Sequence, residues 1–354
     1  MKEPFIWDRF SDQPYPIKNR AYKKAMRKKN AFSYIPLLLT NLIFFPISLI
    51  LMPFLKGQKK PKIEDFFGMG VDLDKGKEQV ELINELGVKH LLIRMPLWQI
   101  DRIDDYVEFA KSFGSDKEIL INILQDREYI ENKELLLKDI DTIFAKFSPF
   151  VKEFQIGNAI NRTKWGFFSV DEYLKWYEQI QTIRDSKYPN IKLVGSSIID
   201  FEYHYTIRSL FNFFKVKYDV FSSLLYVDRR GAPQNRQYGF FDTKKKIDLL
   251  YSMVYLSPKS SNKIYITEVN WPLSNTAPYA PTSEKECVSE ESYAKFMQDY
   301  YKIALKSGKV DRVYWHQLIA PGYGLVDNRE GIRKMPAFYK FKNMIEIIEL
   351  KLEN

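Results

Sequence analysis

What most constrains this chain is an eightfold alternation that runs from Phe66 onward, in which short apolar, β-branched runs are separated by longer amphipathic segments. Short runs that are apolar throughout are buried on both faces. The segments between them carry the 3.6-residue periodicity of helices that cover such strands, so the pattern is one of βαβ units around a parallel sheet. Strands are expected over 66–73, 90–96, 118–124, 151–158, 191–199, 220–227, 263–270 and 312–319. The first intervening segment, KGKEQVELINELG, gathers Val80, Leu82, Ile83 and Leu86 on one face and stops at Gly87. The fourth, VDEYLKWYEQIQTIRDS, carries Asp171 in its first turn, where a carboxylate complements the helix dipole. Eight rounds over roughly 285 residues suit one (β/α)8 TIM barrel, which takes about 250. An open doubly wound sheet has fewer strands and begins with a Gly-rich phosphate loop, whereas the first turn here, VDLDKGKE, has neither GxGxxG nor GxxxxGK[ST].

Ahead of the barrel, IPLLLTNLIFFPISLILMPFL gives about 21 positions without a charge, enough for a helix to cross the hydrocarbon core. It starts too far from the N-terminus for an ordinary signal peptide and lacks a small-residue cleavage pattern, so a retained membrane anchor is expected. The chain then divides into a basic segment (1–34), a transmembrane or re-entrant helix (35–55), a basic linker (56–65) and the barrel (66–350). Lys18, Arg20, Lys23, Lys24, Arg27, Lys28 and Lys29 precede the apolar run, against Lys56, Lys59, Lys60 and Lys62 after it. The positive-inside rule therefore places the N-terminus in the cytoplasm and the barrel beyond an inner or cytoplasmic membrane. Spanning is the favoured reading; basic residues on both flanks, and Pro46 at mid-segment, are the features that would suit the alternative, a re-entrant hairpin that returns to the side it came from. About a quarter of all Lys and Arg fall before residue 63, so the net charge of +9 is mainly a membrane signature in this chain. With no zinc-finger spacing, RNP-like motif or helix-turn-helix pattern beside it, nucleic acid is not an expected partner. The single cysteine, Cys287, cannot form an internal disulfide.

In such a barrel chemistry sits at the C-terminal ends of the strands. Glu268, a lone carboxylate in the apolar run ITEVNWP, ends the seventh. Arg94, Asn158, Asp200, Glu202, Tyr226, Asp228, Arg229 and Trp315 lie at or just past other strand ends. The three histidines, His90, His204 and His316, are far apart and form no HExxH or i, i+4 pair, so neither metal nor cofactor is expected.

The segments FQIGNAINRTKW, ITEVNWPL, VYWHQLIAPGYGLVD and RKMPAFYKF resemble the retaining (β/α)8 glycoside hydrolases of clan A, across about residues 66 to 345. That resemblance implies a glycan substrate, with Glu268 as nucleophile, Asn158 on the sugar 2-hydroxyl, Tyr226 holding the nucleophile and Trp315 flooring a subsite. Arg94 would keep Glu268 ionised, and Trp271 and His316 would touch sugar. The sequence departs from the clan where the acid/base Glu belongs, because Ala159 stands there and a methyl group donates no proton. Three readings follow. Asp200, Glu202 or Asp228 supplies the second carboxyl; or the protein is a glycosyltransferase or transglycosylase whose activated donor needs no acid; or it binds an envelope or cell-surface glycan without turnover. Arg229 and Arg230, in the loop VDRRGAPQNRQYGF, suit an acidic sugar or phosphorylated glycan.

Overall fold

The computed structural model describes residues 5–352, with side chains as far as residue 346. Eight parallel strands close into a barrel: β1 (Phe67–Val71), β2 (His90–Pro96), β3 (Glu118–Leu124), β4 (Glu153–Ile156), β5 (Lys192–Ile199), β6 (Val220–Leu224), β7 (Ile264–Ile266) and β8 (Arg312–Trp315). Each pairs with the next, and β8 returns to β1 with Val313 opposite Phe67. Leu92, Leu120, Val194, Val220, Tyr265 and Tyr314 form a separate packed cluster contributed by six of the strands, so the barrel is filled and is no pore. β4 and β7 are shorter than their apolar runs because the chain leaves the ladder early at the functional end. Gly157 (φ 85°) and Ala159 (φ 44°) turn it sharply after β4. After β7, Thr267 N–H still donates to Ser223 O (3.1 Å), and Glu268 follows free of the ladder.

The barrel helices begin and end where side chains satisfy their loose backbone groups. In chain order come α1 (Arg20–Lys29), α2 (Tyr34–Leu51), α3 (Gln79–Leu86), α4 (Ile103–Ser112), α5 (Lys133–Phe147), α6 (Val170–Lys187), α7 (Tyr203–Leu210) and α8 (Thr243–Leu256). At the start of α6 the Ser169 hydroxyl accepts from Glu172 N–H, and at the start of α8 the Asp242 carboxylate accepts from Lys245 N–H. α9 (Glu290–Ser307) and α10 (Pro336–Leu352) complete the outer layer. α3 stops at Gly87 in the left-handed conformation (φ 72°), as its position predicts.

The N-terminal region is more ordered than a basic tail. Trp7–Asp8 pairs with Gln13–Pro14 in an antiparallel hairpin that reaches the barrel's C-terminal mouth, and α1 and α2 follow. α2 lies along α7 and α8. Phe44 stacks on Phe211 (3.7 Å) and Phe45 on Tyr203 (4.1 Å), Asn41 Nδ2 donates to His204 O (2.9 Å), and Ser252 Oγ donates to Ser48 O (3.0 Å). Its outer face is bare: only 11% of the most apolar window in this helical stretch is buried, whereas a core helix of a soluble protein is mostly covered. The apolar helix ends at Leu51, short of the expected residue 55.

Candidate active site

Glu268 is 7% exposed at the barrel mouth, and both of its oxygens are bound. Arg94, from β2, donates through Nη2 to Oε2 (2.5 Å), and the Tyr226 hydroxyl, just past β6, donates to Oε1 (2.6 Å). Burial pushes this carboxyl up, but His316, Arg94 and the two hydrogen bonds reverse the effect and leave it at about 2. Burial and Arg94 also bring His316 down to about 3, so that ring is neutral at physiological pH. The ionised state of Glu268 therefore rests on Arg94 and Tyr226. Burial and the Glu268 charge push the Tyr226 hydroxyl well up, so it remains a donor.

Across the mouth, Asn158 is fixed through its backbone and its carbonyl side. Gln125 Oε1 accepts from Asn158 N–H (3.0 Å), Gln125 Nε2 donates to Asn158 O (2.9 Å), and Asn122 Nδ2 donates to Asn158 Oδ1 (3.2 Å). The donors converge on Oδ1, which leaves the buried Asn158 Nδ2 as an unused donor. Asn158, Ala159, Glu268, His316, Arg94 and Asp200 all line one cavity of about 210 Å³.

The remaining candidates are distributed unevenly. Arg162 forms ion pairs with both Asp200 (2.6 Å) and Glu202, and Glu202 also accepts from Asn161 Nδ2 (2.8 Å). Asp228, Arg229 and Glu202 line an outer cavity that shares Arg162, Asp200, Tyr226 and Arg230 with the inner one. Arg230 lies 3.5 Å above the Tyr226 ring, and its buried Nη1 has no partner. The two tryptophans expected at a sugar platform are elsewhere. Trp315 is fully buried, stacks on Trp271 (5.8 Å) and donates from Nε1 to Tyr293 Oη (2.6 Å). Trp271 is also fully buried and donates to Gly231 O (2.9 Å). Both pack behind the cavity wall and line neither cavity, because their rings satisfy the apolar layer between β8 and α9.

Sequence reasoning missed several contributors, the N-terminal hairpin and Lys164 chief among them. Ser11, Asp12 and Gln13, from the N-terminal hairpin, form the outer wall of the inner cavity. Arg94 Nη1 donates to Asp12 O (2.9 Å), and the Asp12 carboxylate pairs with Lys75 (2.8 Å) and accepts from the Tyr323 hydroxyl. Lys164, after β4, lines the same cavity and donates to Gln13 Oε1 (2.5 Å). Burial lowers its ammonium to about 8, against the pull of Glu268. The one sequence signal for the hairpin is WDRFSDQPYP, an aromatic, turn-rich stretch unlike the lysine-rich run after it.

No protein-family model and no curated protein sequence matches the chain. Solved structures do. A family 1 β-glucosidase from Thermotoga maritima superposes over 82% of this chain and 99% of its own, with a TM-score of 0.58 at 12% identity. The chain has the (β/α)8 barrel fold of that enzyme. A monomeric β-xylosidase from Caulobacter crescentus CB15 (TM-score 0.56, 13% identity, 82% of this chain and 69% of that one) has the same fold. So does a GH51 arabinofuranosidase from Xanthomonas axonopodis pv. citri (TM-score 0.55, 13% identity, 82% and 74%). Identities this low establish the shared barrel architecture alone, and what this barrel does rests on its own residues.

Proposed function

We propose that this chain is a membrane-associated, glycan-processing barrel in which Glu268 is the nucleophile. The observation that carries the reading is the state of Glu268: a buried carboxylate past a strand end, held ionised by Arg94 and Tyr226, facing a cavity where Asn158 Nδ2 is unused. The carboxylate attacks the anomeric carbon, the bond to the leaving oxygen breaks, and a glycosyl ester forms; water or an acceptor hydroxyl then displaces Glu268. Asn158 Nδ2 donates to a sugar hydroxyl as the ester forms.

Ala159 supplies no proton for the leaving oxygen, and Asp200 and Glu202 are both tied to Arg162. Lys164 is the cavity group that carries a proton up to about pH 8, so it is the proton donor in this reading. Its amine then takes the proton back from the attacking hydroxyl. A weak donor of this kind suits a substrate with a good leaving group, such as a sugar phosphate, and Arg230, with an unpartnered Nη1, suits an anionic one. The domain division (1–34, 35–55, 56–65, 66–350) belongs to the same reading, with the apolar helix on lipid and an envelope glycan as substrate. Turnover of a glycan or activated glycoside by the full chain tests it: Glu268→Gln should abolish turnover with the fold intact, and unchanged turnover would end the proposal.

A second reading, glycan binding without chemistry, is favoured by one observation. The hairpin narrows the cavity mouth, with Gln13 on Lys164 and the Asp12 carbonyl on Arg94, so Lys164 and Arg94 are already engaged. Glycan binding that survives Glu268→Ala with no product would select it.

A further inference from the structure

A helix that crosses a bilayer leaves its two flanking segments on opposite sides. Here the segment before α2 and the barrel after it are parts of one site: Asp12 accepts from Arg94 through its carbonyl and is paired with Lys75, and Gln13 accepts from Lys164. α2 itself is docked lengthwise on the barrel from Asn41 to Ser48, through the His204 carbonyl, the Phe211 and Tyr203 rings and the Ser252 hydroxyl. If α2 spanned the membrane, α7 and α8 would lie in hydrocarbon beside it and the hairpin could not reach the barrel mouth.

The outward face of α2 is nonetheless apolar. Ile35, Leu38, Leu42, Ile43, Ile47 and Ile50 recur at helical spacing, and Leu38, Leu42 and Ile50 are 66%, 75% and 70% exposed. A helix apolar all round is stable when both faces are covered, and the barrel covers one. Phe213, two residues past the ring that stacks on Phe44, stands fully exposed on the same flank. The two ends of this stripe are basic, with exposed Arg20, Lys24, Arg27 and Lys28 on one side and Lys56 and Lys60 on the other.

We infer that the protein is monotopic: α2 lies in the interface of one leaflet with its outer stripe among acyl chains, the basic residues at both ends rest on anionic headgroups, and the hairpin and barrel stay together on that side. The charge pattern selects an anionic lipid surface as the occupant of the stripe. The inference deepens the membrane reading above and depends on it. It also replaces the expectation that the barrel and the N-terminus lie on opposite sides.

Two measurements on the full chain test it. In flotation, the wild type should bind phosphatidylglycerol vesicles at least tenfold better than phosphatidylcholine vesicles. Leu38→Glu/Leu42→Glu should lower binding at least tenfold with an unchanged unfolding midpoint, as both side chains face outward. In sealed spheroplasts, single-cysteine chains carrying Lys24→Cys or Lys138→Cys on a Cys287→Ser background are treated with a membrane-impermeant maleimide. Labelling of both positions, or of neither until lysis, is the expected result. Labelling of one and not the other, with flotation intact, overturns the monotopic arrangement and leaves membrane association standing. Failure to float on any vesicle removes membrane association itself, and a stable lipid-free dimer lost in Leu38→Glu/Leu42→Glu would assign the stripe to a second copy.

Discussion

Replacing Arg94 with methionine isolates the contact on which the ionised Glu268 depends. Both partners are buried, with side-chain exposures of 4% and 10%, so solvent screens little of their interaction. A carboxyl held in the fold below the value of about 4.3 in a free chain contributes stability at neutral pH, where His316 is neutral and Arg94 and Tyr226 supply the effect. That contribution is complete above the unfolded value and is lost as pH falls from about 4.3 towards 2, because the folded pKa is the depressed one. Arg94→Met leaves the carboxylate buried with only the Tyr226 hydroxyl on it and frees the Asp12 carbonyl, so a cost of about 3–5 kcal/mol is expected at pH 7. The cost should shrink at pH 3, where the wild type has already lost part of the benefit. Adding Glu268→Gln removes the stranded charge, so the double variant should be more stable than the sum of the singles by about 2–3 kcal/mol. Urea unfolding at both pH values, followed by tryptophan fluorescence, measures all four proteins. A cost below about 1 kcal/mol for Arg94→Met, together with additivity in the cycle, would refute the electrostatic account.

Other outcomes follow from the same geometry. Ala159→Glu restores a carboxyl beside Asn158 without changing the backbone demand of its φ of 44°, and should raise turnover of glycosides with poor leaving groups by about 10²-fold or more, read as kcat against leaving-group pKa. Turnover of the wild type should fall above about pH 8 as Lys164 loses its proton, and Lys164→Met should lower kcat and flatten that alkaline limb. Arg230→Gln should weaken binding of an acidic glycan about tenfold or more relative to a neutral one, while Arg229→Gln, which lines only the outer cavity, should have a smaller effect; calorimetry with both glycans separates them.

The barrel was legible in the sequence because strands buried on both faces leave a continuous apolar run, and helices that cover them leave a 3.6-residue stripe. Strand ends were legible to within about three residues except at β7 and β8, where the chain leaves the ladder four residues early at the mouth in a way composition does not register. Glu268 stood out as a charge inside an apolar run, and Arg94 and Tyr226 do lie against it. Trp271 and Trp315 misled because an aromatic at a strand end can face the cavity or the helix layer, and the side chain's direction follows from tertiary packing. The hairpin and Lys164 were hidden for another reason: their contacts join residues 82 to 311 positions apart, or 151 for Lys164 and Gln13, and neither periodicity nor local propensity carries that information.

The central claim is that Glu268 forms a bond to sugar, and covalent trapping tests it most directly. A panel of 2-deoxy-2-fluoroglycosyl fluorides and sugar phosphates needs little or no protonation of the leaving group, so Ala159 does not limit the first step. Intact-mass analysis of the full chain should show one glycosyl adduct, mapped by peptide digestion to Glu268 and absent from Glu268→Gln. An adduct on another residue, or none with any donor under conditions where the protein binds the same sugar, would contradict the account and leave binding without turnover.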